Sequence, residues 1–172
     1  VSELEALGLE PEELLTLRSW LAQPRGLILV TGQRGAGATT THYACLRHLL
    51  AEGRSVSTAE QPIHASLPGA SQFGVDSARG RSMATVARDA IGVEAEVTLI
   101  GLICDSESAQ LVLAAAKDRL VISLLWDVDP KHARERLSGF GSAAEVVEGR
   151  LLGVLYQSRE ASSVQFRLLS GA

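Results

Sequence analysis

The sequence predicts an α/β domain in which a mainly parallel β-sheet is covered by helices on both faces. Three observations lead there. Short, predominantly apolar runs such as Leu27-Ile28-Leu29-Val30 and Leu120 to Leu125 alternate with segments of helical period. These runs lack the in-out alternation of a sheet with one wet face, as expected of strands buried on both sides. One strand-loop-helix unit carries a glycine cluster at its turn, from Gly32 to Gly37.

Each element follows in order. Pro11 to Leu21 sets Leu14, Leu15, Leu17 and Leu21 among acidic residues, an amphipathic helix ending before Gln23-Pro24. Residues 1–24 are therefore expected as a lead-in helix and linker, and 25–172 as the domain proper. After the 27–30 strand and the glycine loop, Thr39 onward takes helical spacing through Ala44, Cys45, Leu46, Leu49 and Leu50, with Gly53 as the stop. Val56 to Ala59 is a strand candidate, and Met83, Val86, Ala87, Ala90 and Ile91 share one helical face closed by Gly92. Val97 to Gly101 reads as a buried strand, Ser106 as the cap of a helix reaching Lys117, and Leu120 to Leu125 as another strand. Asp129-Pro130 predicts a helix start with Gly139 as its end. Ser142-Ala-Ala-Glu145 has the spacing of a capping box and predicts a helix toward Gln157, and the alternation in Ser163 to Leu169 predicts a last strand.

Composition bounds the function. The 172 residues, 46% of them apolar, suffice for one domain with a full core. A net charge of -4 and the absence of any block of like charge argue against nucleic acid as a partner. Cys45 and Cys104 form no CxxC pair and read as thiols of a reducing, cytoplasmic compartment; Cys45 falls on an apolar helix face, whereas Cys104 is expected near the cleft. No leader pattern begins at Val1 and no apolar run approaches the roughly 18 residues of a membrane span. His42, His48, His64 and His132 lack metal-ligand spacing, so no metal site is expected.

The motif with chemical content is the loop Thr31-Gly32-Gln33-Arg34-Gly35-Ala36-Gly37-Ala38-Thr39-Thr40. It has the glycines of a Walker A phosphate loop, in the strand-to-helix context where backbone N–H groups hold an anion. The lysine that the motif places before Thr39 is Ala38 here. A charge-assisted hydrogen bond is worth about 1.5–3 kcal/mol, so nucleotide affinity should fall by roughly one to two powers of ten. Arg34 lies in the loop and either stays in solvent or reaches a phosphate instead.

In order along almost the whole chain, further segments resemble the C-terminal, RecA-like domain of the motor ATPases of type II secretion and type IV pili. Leu7 to Leu17, Gly26 to Gly32 and Thr39 to Ala44 are similar to that family's LGL…L, GLILVTG and TTLYA segments. Thr58 to His64 resembles the acidic TIEDPVE box, Gln72 to Val75 the QxxV segment, and Leu99 to Ala109 the Walker B segment LIGEIRDxETA. Ala115 to Ser123 resembles the histidine box AxTGHLVLS, and Gly153 to Gln157 the GVVAQRL segment. The resemblance implies a RecA-like fold and, for working members, hexamers that use ATP and Mg²⁺ to move pilin-like subunits at an inner-membrane platform.

The departures fall where that chemistry would be. Besides Ala38, Gln61 stands at an aspartate position and His64 at a glutamate position of the acidic box, with Glu60 kept. Leu102 replaces the Walker B glutamate and Cys104 the following arginine, with Asp105 kept. Arg119 and Trp126 take the places of two box histidines, and Ser158 that of the arginine after Gln157. Leucine can neither hold Mg²⁺ nor orient an attacking water, and a general base contributes about 10² to 10⁴ in rate.

Glu60 and Asp105 read either as remnants of the site or as strand-end carboxylates capping the next turn. Trp126 reads as a plug in the cleft, an interface anchor or ordinary packing. The expectation is a pseudo-ATPase of a pilus or secretion apparatus, working through protein contacts alongside an active paralogue, in the cytoplasm or peripheral at the inner membrane, and forming oligomers. No cofactor is expected, ATP or ADP with Mg²⁺ binding weakly if at all. The alternatives are a protein that binds nucleotide without efficient turnover and another RecA-like translocase.

Overall fold

The computed structural model describes residues 3–127, 129–160 and 163–171. Seven strands form one sheet: β1 (Gly26–Gly32), β2 (Val56–Glu60), β3 (Ala70–Gly74), β4 (Val97–Ile100), β5 (Leu120–Trp126), β6 (Leu151–Glu160) and β7 (Ser163–Ser170). Their order is β3-β2-β4-β5-β1-β6-β7. Every neighbouring pair is parallel except β6 with β7. The α-helices are α1 (Pro11–Leu21), α2 (Ala38–Ala51), α3 (Met83–Gly92), α4 (Ser106–Ala115), α5 (Ala133–Gly139) and α6 (Ala144–Arg150).

Period-two geometry divides the central strands between two cores. Leu27, Leu29, Val121 and Leu125 point to the side packed by α3, α4, α5 and α6. Ile28, Val30, Leu120, Ile122 and Leu124 point to the side packed by α1 and α2. Both faces are dry, which is why the strands read as continuous apolar runs. The lead-in helix belongs to the second core: Leu17 and Leu21 are buried, and the Trp20 ring lies over Gly153 of β6.

Four expectations are corrected. The helix toward Gln157 stops at Arg150 because Leu151, Val154 and Leu155 are buried in a strand paired with β1. Ser142 does not cap it; the N-cap position is Ala143, without a side-chain bond. Asp129-Pro130 forms a turn, with Asp129 accepting from the Lys131 N–H at 2.8 Å, and the helix begins only at Ala133. The cap of α4 is Asp105 rather than Ser106. β3 was not foreseen; it is a half-buried edge strand whose Ala-Ser-Gln-Phe-Gly sequence has no apolar run.

Candidate functional site

The phosphate-type loop lies where β1 ends and α2 begins. Gly35 and Gly37 take φ of +84° and +100°, conformations that need glycine, and reverse the chain into the helix. The Ala36 N–H donates to the Gln33 carbonyl at 3.2 Å. Gln33, Arg34, Thr39 and Thr40 remain exposed. As in any helix, the first N–H groups of α2, at Ala38, Thr39 and Thr40, have no partner within it. The Ala38 methyl is buried in the α1/α2 core and does not line the cleft.

Gln157, buried at the centre of β6, latches the loop from below. Its Nε2 donates to the Ala36 carbonyl at 2.7 Å, and its Oε1 accepts from the Thr41 hydroxyl at 2.9 Å. This role was not legible: Gln157 carries no charge, and only the register that sets it opposite Gly32 brings it to the loop.

At the end of β2 the Glu60 carboxylate is buried and engaged on both oxygens. Oε1 accepts from Thr58 at 2.6 Å and from Gln72 at 3.1 Å, and Oε2 accepts from the Tyr43 phenol. Burial, then the adjoining Glu60 carboxylate, raises the Tyr43 pKa. Tyr43 also accepts from the backbone N–H of Ala65, and Gln72 bonds Leu67 and Ala65, so the group pins the 61–69 loop. Tyr43 sits four residues after Thr39, a spacing that places both on one helix face.

β4 ends at Ile100 and leads through Gly101 to Leu102, which is half-buried against both cores. Asp105 caps α4, accepting from the Ser108 N–H at 2.7 Å while the Ser108 hydroxyl answers the Asp105 N–H. Those bonds, the backbone one first, lower its pKa. Cys104 is exposed and bonded to Ser108, outside the cleft where it was expected. Arg119 lies just before β5, donating to the Val93 carbonyl at 3.0 Å. Trp126 is at the other end of that strand, about 20 Å away at strand rise. Arg119 therefore does not join the site. Trp126 does, its carbonyl held by Arg136 and its ring covered by the Arg34 guanidinium at 5.5 Å from the centroid.

These elements enclose a cavity of about 490 Å³ at the C-terminal ends of the central strands. It brings together Arg34, Thr39, Glu60, Gln61, His64, Leu102 and Trp126 of the residues singled out in the sequence. His42, which sequence reasoning set aside, also lines it. His42 is 5% exposed, and its Nε2 has no hydrogen-bond partner among the described residues. Burial, reinforced by nearby His64, lowers its pKa to about 4, so the ring is neutral at pH 7. Among the described residues no cluster of three or more His, Cys, Asp or Glu could hold a metal ion, and no helix is long and apolar enough to cross a membrane.

The sequence and the fold have counterparts. The chain is 37% identical over 155 residues to the type II secretion system protein HxcR of Pseudomonas aeruginosa, covering 90% of this chain and 33% of that protein. It is 32% identical over 142 residues to the type IV pilus assembly ATPase PilB of Acinetobacter baylyi, covering 82% of this chain and 24% of the relative. The chain thus spans a third or less of the length of these relatives. The crystal structure of the pilus retraction motor PilT with bound ADP superposes with a TM-score of 0.84 at 22% identity, over 100% of this chain and 54% of that one. The VirB11 ATPase of the Brucella suis type IV secretion system, in complex with sulphate, gives 0.74 at 18%, over 98% of this chain and 55% of that one. These likenesses establish the RecA-like fold. Residues 1–160 match the family described as Type II/IV secretion system protein, and the chain belongs to that family.

Proposed function

We propose that this chain is a pseudo-ATPase of the secretion and pilus ATPase family, a structural or regulatory component that acts through protein contacts rather than by turning over nucleotide. One observation carries the reading: the side chain facing the cleft from the end of β4 is Leu102, where the resemblance places a glutamate. Three others support it. Ala38 offers a buried methyl in place of an ammonium. Both oxygens of Glu60 are already engaged by Thr58, Gln72 and Tyr43. Asp105 is spent on the α4 cap.

Magnesium-bound ATP asks for a cation on the phosphates and carboxylates on the metal side, and these residues do not fit it. The partners under this reading are proteins of a pilus or secretion apparatus, an active paralogue among them, and its place is the cytoplasm or the cytoplasmic side of the inner membrane. HxcR and PilB are parts of such machinery by name.

A second reading is favoured by the intact loop geometry: Gly35 and Gly37 keep the shape that presents the α2 N–H groups, so ADP or ATP binds weakly without efficient hydrolysis. Thermal-shift titration separates the two, because a ligand that binds only the folded chain must raise its stability. The pseudo-ATPase reading expects no shift with Mg-ATP, and a shift that disappears in Thr39→Ala supports the second. The combined variant Ala38→Lys, Leu102→Glu tests whether the scaffold regains nucleotide.

A further inference from the structure

The cavity left by this exchange of residues has a chemistry of its own. Leu99, Leu102, Leu124, Pro62 and the Trp126 ring supply apolar lining. Arg34 and the amino-terminal end of α2 with Thr39 supply positive potential and donors. The Glu60 carboxylate also lines the cavity, but Thr58, Gln72 and Tyr43 donate to its two oxygens and partly offset its charge. His42 adds an independent sign of a ligand: it lines the same cavity, is buried, and leaves Nε2 unbonded among the described residues. Buried polar atoms without partners are costly and uncommon. The volume of about 490 Å³ suits a small molecule.

We propose that this cleft takes a small organic anion with an apolar body, of the aromatic-carboxylate class, bound without a divalent cation. The carboxylate sits between Arg34, the α2 N–H groups and His42 Nε2, and the body lies against Leu102 and Trp126. A triphosphate would leave the leucine lining uncovered and its metal without a ligand. This inference rests on the reading that Ala38 and Leu102 have removed metal–phosphate chemistry from the site.

The test is a ¹H–¹⁵N titration of the full chain with benzoate and with indole-3-acetate, following the indole N–H signals of Trp126 and Trp20. The expected result is a saturable shift of the Trp126 signal with Trp20, buried between α1 and β6, unmoved. Arg34→Ala, an exposed position, should weaken the response at least tenfold. Leu102→Glu, whose folding the same spectra report, should remove it. Addition of Mg²⁺ should change nothing. No saturable Trp126 shift, an equal response from inorganic phosphate alone, or undiminished binding by Arg34→Ala would overturn the proposal. Hydrolysis of ATP would instead strike at the pseudo-ATPase reading, whereas a silent carboxylate titration with no hydrolysis sinks the ligand alone.

Discussion

His42 shows how far the fold can move the chemistry of one side chain. Its pKa falls from an ordinary 6.5 to about 4 in the folded chain because the charged ring would be buried beside His64. Between those values the unfolded chain binds a proton that the folded chain refuses. Stability therefore declines as pH drops from 6.5 toward 4, by about 3 kcal/mol across the window, and this contribution is constant above 6.5. Urea unfolding of His42→Phe at pH 7 and pH 4.5 should show a smaller difference between the two pH values than the parent. An unchanged difference would mean that His42 does not titrate in this way. Gln157→Ala should cost about 1–3 kcal/mol, since it strands the buried Ala36 carbonyl and the Thr41 hydroxyl, and denaturant melts will measure it. The phosphate-loop motif signalled Ala38 and the glycines, and the family resemblance signalled Leu102. Neither Gln157 nor the full engagement of Glu60 was legible, because apart from Thr58 the partners lie 12 to 121 residues distant in the chain and meet only in space.

Among the elements, those that were legible have a strong local pattern. β1, β4 and β5 are mostly apolar and buried along nearly their whole length, and α2 and α3 keep a clear 3.6-residue period. Where tertiary pairing overrides local signal the reading failed. Glu145 lies within the short helix α6, but from Leu151 the sheet claims the chain, because pairing with β1 completes the centre of the sheet. β3 carries too little apolar sequence to announce itself and exists through its bonds to β2. Two element-scale predictions follow from the packing. Asp105→Ala removes the cap of α4 and should cost about 1 kcal/mol by chemical unfolding. Gly153→Val brings a side chain into the Trp20 ring, where a Cβ would lie only 2.1 Å away, and should destabilise by about 1–3 kcal/mol through overpacking.

For the whole molecule, the two dry faces and the parallel sheet are those of the RecA-like fold, and the C-terminal strand ends still converge on a cleft. The framework that forms that cleft is intact: the loop is latched, the 61–69 segment is pinned and the Trp126 strand end is tied to Arg136. Under the proposed reading, what departs from the family pattern is the set of side chains at the cleft, Leu102 foremost. The most direct test is phosphate release from Mg-ATP by the purified chain, measured beside Thr39→Ala and beside the Ala38→Lys, Leu102→Glu double variant. A parent rate at the protein-free baseline, indistinguishable from Thr39→Ala, is the predicted result. Sustained turnover by the parent that Thr39→Ala abolishes would contradict it.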